Sequence, residues 1–404
     1  MTRVSRAICA LCLLMLPALA FAKDVWLATI EPGELYWQRF GHNALIVRDG
    51  DQGVSYNFGY FDFAQQDFLL RFMRGRMLYQ AIALDADADI DGYLQEGRRV
   101  WLQRLALSPA QIDALETHLK WHVAPENRDY RYDYYASNCS TKIRDAIDLA
   151  LAGALKSANA HRSHGETYRR FTRAYAAPVP WLYLGTDLLL GQPVDKPLSL
   201  WEEMFIPGEL KRRVREMSVD GAPLVAEEIV LPASANPTDV WPEVRDQRPT
   251  FAAIGLMLAA LIVLAARPAR QAANAGPHGS VYNRPRLLGM LQVSLALPMA
   301  IAGTVLALLW VATDHSSAWR NENLFLFSPI WWLALPGFIA LSIRGRLTDK
   351  LQRLTRLAAT LALISVALGA FAKVFRSFDQ GNIEWLLLIW PVVLAIAWTT
   401  RRGA

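Results

Sequence analysis

The pattern of apolar and polar positions changes character near residue 250. Beyond that point, apolar residues run almost unbroken through 250–266, 287–312, 324–343, 357–372 and 383–399. Each run is near the roughly 20 residues that cross a bilayer as a helix. The pattern predicts an all-α bundle of five transmembrane helices over 250–404. Pro298, Pro329, Pro336 and Pro391 fall inside these runs, which helices packed in lipid tolerate.

Before residue 250 the pattern has short strand and helix periods. Residues 43–48 and 54–60 are strand-like and flank Asp49-Gly50-Asp51-Gln52-Gly53, so they predict a β-hairpin. Two more β-rich stretches follow at 77–84 and 100–107. Ser108-Pro109 opens a helix to about His122, with Ser at the N-cap and Pro in the first turn. Tyr130, Tyr132 and Tyr134 alternate like a strand, and Asn138 then caps a helix over 139–155. This order of elements predicts an α+β domain over 23–231. Residues 232–249, with Pro232, Pro237, Pro242 and Pro249, read as a linker.

The first 22 residues carry Arg3 and Arg6, an apolar run to Leu19 and then Ala20-Phe21-Ala22, the plan of a cleaved secretory signal. An uncleaved anchor is the alternative. Cleavage removes Cys9 and Cys12 and leaves Cys139 as the only cysteine. In an oxidising compartment such a residue is an inert buried thiol, half of an intermolecular disulfide, or a nucleophile.

Composition and charge sharpen this picture. The chain is 53% hydrophobic yet 20% charged, too apolar for an ordinary soluble protein and too charged for a pure membrane bundle. The formal charge of +5 is unevenly spread, with −6 over residues 23–250 and +9 over 251–404. That distribution excludes nucleic acid as a partner. With five spans and residues 23–249 outside, the inside segments 267–286, 344–356 and 400–404 hold eleven basic residues against one acid, Asp349. The two outside loops hold only Arg320, Lys373 and Arg376 as basic residues. The positive-inside rule then predicts a multi-pass membrane protein with its N-terminal domain outside and its C-terminus in the cytoplasm.

Candidate chemistry centres on Asn138-Cys139-Ser140-Thr141, which places the thiol in the first turn of a helix. Free backbone N–H groups and the helix dipole favour the thiolate there. His42, in Gly41-His42-Asn43-Ala44, stands at the mouth of a strand, where an imidazole can serve as base to a nucleophile. If the hairpin turn centres between Asp49 and Gly50, Asn57 lies opposite His42 and can fix its tautomer. The other reading of Asn57 is a satisfied polar strand residue.

Gly41-His42-Asn43-Ala44 followed by Asn138-Cys139-Ser140-Thr141 resembles the Lnb-type lipoprotein N-acyltransferases. The resemblance continues through Tyr56-Asn57-Phe58-Gly59, the segment Trp201-Glu202-Glu203-Met204-Phe205-Ile206-Pro207, His315, and Asn321-Glu322-Asn323-Leu324-Phe325. The His-first, Cys-later order is also similar to permuted NlpC-type and lecithin:retinol acyltransferase-like enzymes, which implies a papain-like fold. The resemblance implies a ping-pong transfer through a thioester on Cys139 with His42 as base. The acyl donor would be a phospholipid and the acceptor the N-terminal amine of a lipoprotein. It further implies that His315, Asn321 and Asn323 face the active site or a lipid headgroup; their other reading is an ordinary interfacial loop. No cofactor is expected. Competing functions are a hydrolase built on the same Cys139–His42 pair, either a phospholipase or a cell-wall amidopeptidase, and a non-catalytic membrane scaffold.

Two other clusters invite metal readings. The run from Asp85 to Asp91 resembles a calcium loop, yet each register lacks one required residue, and acids at a helix start explain it better. His118 and His122 sit one helical turn apart without a third ligand in the sequence nearby.

Overall fold

The computed structural model describes residues 23–61, 65–232, 243–266 and 284–402. The expected signal segment 1–22 and residues 233–242 of the expected linker lie outside the described residues. The described chain forms two compact units, one built from residues up to 65, 78–163 and 199–232, the other from 66–77, 164–198 and everything from 243 onward. The expected continuous domain over 23–231 is therefore interrupted twice, because 66–77 and 164–198 pack with the C-terminal helices.

The first unit is a mixed α/β structure around an antiparallel sheet. Its strands are β1 (Asp24–Ile30), β2 (His42–Asp49), β3 (Gln52–Tyr60), β4 (Leu78–Asp85), β5 (Val100–Leu105), β6 (Asp129–Arg131) and β7 (Val225–Leu231). They pair in the order β6-β4-β3-β2-β1-β5-β7. The alternation of side chains splits the central strands into two apolar faces. Val25, Leu27, Leu45, Val47 and Phe58 share one core with α2 (Pro109–Val123) and α3 (Cys139–Ala150). Ala28, Ile30, Ala44 and Ile46 pack on the opposite face with Ala86 and Ile90 of α1 (Ala86–Gln95).

Local chemistry explains most of the boundaries. Ser108 and Gln111 form a capping box at the start of α2, with Pro109 in the first turn. Asn138 caps α3 by accepting the Thr141 N–H at 2.9 Å, while its amide donates to the carbonyls of Tyr134 and Phe205. The helix ends at Ala150, earlier than the sequence pattern suggests, because Ala152 and Gly153 take positive φ before a second short helix, Ala154–Asn159. The tyrosine alternation yields only the three residues of β6. Asp133 Oδ1 accepts the N–H groups of Tyr135 and Ala136, which turns the chain out of the strand.

The hairpin register differs from the expected one by two residues. Asp49 pairs with Gln52 and Ala44 with Asn57, so the turn centres on Gly50 and Asp51. Asn57 is thus diagonal to His42 rather than opposite it. A two-residue slip keeps both side chains on one face, whereas a slip of one would have separated them.

The second unit is helical. Arg248–Ala266, Arg284–Ala312, Asp349–Ala372 and Ile383–Arg402 are long and apolar enough to cross a membrane. The expected span at 324–343 is different. Glu322–Phe325 is a 3-10 turn, and the helix runs only from Trp331 to Arg344, 14 residues or about 21 Å. Pro329 lacks an N–H, and the Asn323 carbonyl accepts the Leu326 and Phe327 N–H groups as a closed turn, so the helix cannot begin earlier.

A buried ion network ties residues 164–198 to the last helix of this unit. Arg169 meets Asp195 through Nε at 2.7 Å and Nη2 at 2.9 Å, and Asp187 through Nη1 at 3.1 Å. Arg173 bridges Asp187 at 2.7 Å and Glu384 at 3.0 Å, and the Trp385 indole donates to Asp187 at 3.0 Å. Removing one partner strands a buried charge, which costs about 3–5 kcal/mol. Arg169→Ala should therefore lower the thermal unfolding midpoint in detergent sharply. Arg170→Ala, which loses only a surface pair with Glu166, should change stability by less than about 1 kcal/mol.

Candidate active site

Cys139 is the first residue of α3 and is half-buried, the only cysteine among the described residues. His42 is the first residue of β2. Gly41 before it holds φ +79°, and a Cβ there would stand 2.7 Å from the Ile30 carbonyl oxygen, so only glycine lets the chain enter β2 at this angle. The imidazole and the thiol are joined by a hydrogen bond.

The other ring nitrogen is fixed from behind. His42 Nε2 lies 2.8 Å from Asn57 Oδ1. Asn57 Nδ2 donates to Asp89 Oδ2 at 2.9 Å and to Ser55 Oγ at 3.1 Å, and Ser55 Oγ donates to the same Asp89 oxygen at 2.6 Å. A carboxylate accepts only, so it settles which end of the Asn57 amide carries nitrogen. The Asn57 oxygen then faces His42 and can only accept, which puts a proton on Nε2 and leaves Nδ1 for the thiol. The chain of contacts runs Asp89, Asn57, His42, Cys139.

The electrostatics of the pair follow from this arrangement. Burial alone would lower the imidazole pKa. The Cys139 thiolate, its hydrogen bond, Asn57 and the Asp89 charge outweigh burial and raise it. Burial alone would push the thiol up. The His42 charge and hydrogen bond, with the Asn43 and Ser140 backbone N–H groups, bring it below its ordinary value. Both shifts favour the thiolate–imidazolium form.

Tyrosines wall the thiol. Tyr132 stacks on Tyr79 at 4.1 Å, and burial followed by the Cys139 charge raises its pKa. Tyr130 is raised for the same two reasons. Both hydroxyls stay protonated at neutral pH.

The sequence reading missed Asp89. It sits in the acidic run taken as solvated acids at a helix start, and its neighbours do act that way. Asp85 caps α1 at Ala88 N, and Asp87 pairs with Arg48 at 2.6 Å. Asp89 alone turns inward. Its spacing four residues beyond the cap was the available signal, since that places it one turn into α1. No group of metal-binding side chains occurs among the described residues. His118 and His122 stack edge to face, and burial lowers both, His122 to about 4.

The remaining expected site residues belong to the second unit. Asn321 donates to the carbonyls of Leu188, Leu189 and Leu190, and its oxygen accepts from Asn323 N and Gln380 Nε2. Asn323 donates to the Leu188 carbonyl and accepts from Asn382 at 2.8 Å. Both are buried, and their amides close the C-terminal end of the helix Pro180–Leu189 rather than face a ligand. His315 Nε2 lies 2.9 Å from the Phe72 carbonyl oxygen and donates to it.

Comparison with known families supplies the context for this arrangement. Residues 22–174 match the model of the Lnb N-terminal periplasmic domain, and residues 280–375 match that of the Lnb transmembrane domain. Neither a curated protein nor a solved structure matches the chain. Both domains of one family thus occur in order, and together they take in the Cys139–His42 pair and the helices from Arg284 to Ala372. The chain belongs to the Lnb family and is a membrane protein with a periplasmic N-terminal domain.

Proposed function

We propose that this protein is a membrane-bound N-acyltransferase that moves an acyl chain from a phospholipid to the N-terminal amine of a lipoprotein. The observation that carries the reading is the oriented Cys139–His42 pair, backed by Asn57 and Asp89, in a chain with membrane-spanning helices. The family membership supports it. The reading takes the periplasmic domain as papain-like, the bundle as five spans including the short helix Trp331–Arg344, and the C-terminus as cytoplasmic.

In the first half-reaction the Cys139 thiolate attacks the ester carbonyl of the donor. A C–S bond forms, the ester C–O bond breaks, and His42 gives its proton to the departing lysophospholipid oxygen. In the second half the acceptor amine attacks the thioester, His42 takes the amine proton, a C–N bond forms and the C–S bond breaks. Dividing one difficult transfer into two easier ones is the gain of covalent catalysis. The Cys139 backbone N–H, in the first turn of α3, is the candidate donor to the tetrahedral oxyanion. The raised Tyr130 and Tyr132 hydroxyls beside the thiol remain neutral donors rather than competing nucleophiles.

Incubation of the full chain with phospholipid vesicles should add one fatty-acyl mass that hydroxylamine removes, and Cys139→Ser should show none. Intact mass spectrometry reads this directly; absence of the adduct would overturn the thioester. Addition of a diacylglyceryl-cysteine peptide should then discharge the adduct into an amide, whereas discharge by water alone would identify a hydrolase.

The pH dependence of Cys139 alkylation should inflect below the usual thiol value, because its pKa is lowered. In His42→Ala the inflection should move up, since burial is then opposed only by the Asn43 and Ser140 backbone N–H groups, and turnover should fall on the order of 10²–10⁴-fold. Asp89→Ala should move the inflection in the same direction by less. Its turnover should fall about 10- to 100-fold, as when an orienting partner behind an imidazole is removed, and its unfolding midpoint should fall as well, because buried Ser55 and Asn57 lose their shared acceptor. An unshifted pH profile in Asp89→Ala would assign Asp89 to structure alone.

A further inference from the structure

The segment between β3 and β4 carries a short helix, Phe68–Arg74, with the sequence Phe-Leu-Leu-Arg-Phe-Met-Arg. None of its residues is buried. Leu69 is 67% exposed and Met73 59%, with Leu70 and Phe72 also exposed. A soluble surface does not keep four large apolar side chains in one such turn without a partner. The helix contains two arginines, Arg71 and Arg74, and no acid.

Its attachment says where it sits. The helix Arg284–Ala312, long and apolar enough to span, ends two residues before Asp314. The Asp314 N–H donates to the Arg74 carbonyl at 2.8 Å, and its carboxylate pairs with Arg76 at 2.9 Å. The next residue, His315, donates to the Phe72 carbonyl. Gly75 permits this closeness, because a Cβ there would lie 2.8 Å from His315 N. The end of a span lies at the bilayer boundary, so a helix fastened to it lies at that height. Trp310 and Trp319, both exposed, flank the same loop as interfacial aromatics do.

We propose that Phe68–Arg74 is an interfacial anchor, lying in the headgroup boundary of the bilayer that the spans cross. Leu69, Leu70, Phe72 and Met73 enter the acyl region. Arg71 and Arg74 extend their apolar stems along it and place their guanidinium groups among lipid phosphates. His315 and Asp314 are the clamp that holds the anchor to the span. The inference needs Arg284–Ala312 to span and is independent of the acyl-transfer reading, because its test is spectroscopic.

The test uses the full chain in vesicles of phosphatidylcholine and phosphatidylglycerol, with Cys9, Cys12 and Cys139 replaced by serine. An environment-sensitive fluorophore is attached to Met73→Cys, and in a second protein to Leu69→Cys. Leu256→Cys, exposed on the span Arg248–Ala266, provides the value for full lipid contact. At positions 69 and 73 the emission should be blue-shifted, quenched by acyl-chain nitroxide lipids and protected from aqueous iodide. Water-like emission, with iodide quenching and no lipid quenching at both positions, would overturn the proposal. If one variant fails to fold, the other decides.

Discussion

The hydrogen bond between His42 Nε2 and Asn57 Oδ1 is the contact on which the site depends, because it decides which imidazole nitrogen is left for the thiol. An asparagine cannot impose that choice alone, since its amide can turn over and present either end. Asp89 removes the ambiguity by accepting from Asn57 Nδ2. Three elements must therefore be correct together: the β2–β3 register, the first turns of α1, and the capped start of α3. Each is secured by chemistry of its own. The apolar alternation of both sheet faces fixes the register, Asp85 caps α1, and Asn138 caps α3 while tying it to the Tyr134 and Phe205 carbonyls.

The same arrangement resolves a conflict between burial and charge. Enclosing a thiol and an imidazole disfavours the ionised form of each, and enclosure is the largest single influence on both. The pair ionises because each member supplies the other's counter-charge at hydrogen-bond distance, with Asp89 behind and two backbone N–H groups in front. This explains why a half-buried position suits the residue. Deeper burial would favour the neutral thiol, and full exposure would weaken the Coulomb attraction through solvent screening.

What was legible in the sequence was local. The hairpin, the Ser108 and Asn138 caps, and the thiol at a helix start rest on residues within a few positions of one another. The site pair was legible because strand mouths and helix starts are places where such groups meet. Asp89 was not, because its partner is 32 residues away and the acids around it are ordinary solvated ones. Asn321 and Asn323 misled for a related reason. Polar residues between apolar runs resemble a headgroup-facing loop, and only the structure reveals that their amides are used on carbonyls over 130 positions earlier. The hairpin slip shows the value of period-two geometry, since an error of two residues left Asn57 on the His42 face and within hydrogen-bond reach of it.

The grouping of residues 164–198 with the C-terminal helices has a physical cause that no hydropathy pattern reports. Arg169 is buried and Arg173 half-buried, and guanidinium groups drawn out of water need matched carboxylates. Asp187 and Asp195 on the same stretch match those two charges, and the buried Glu384 in the first turn of the last helix is met in turn by Arg173 at 3.0 Å and Arg248 at 3.7 Å. Three arginines thus meet three carboxylates. Such a network adds little net stability over an apolar core of equal volume, because desolvation offsets the attraction. What it supplies is a penalty on misplacement: a seating of this stretch that parted Arg173 from Glu384 would leave a buried carboxylate short of its partner.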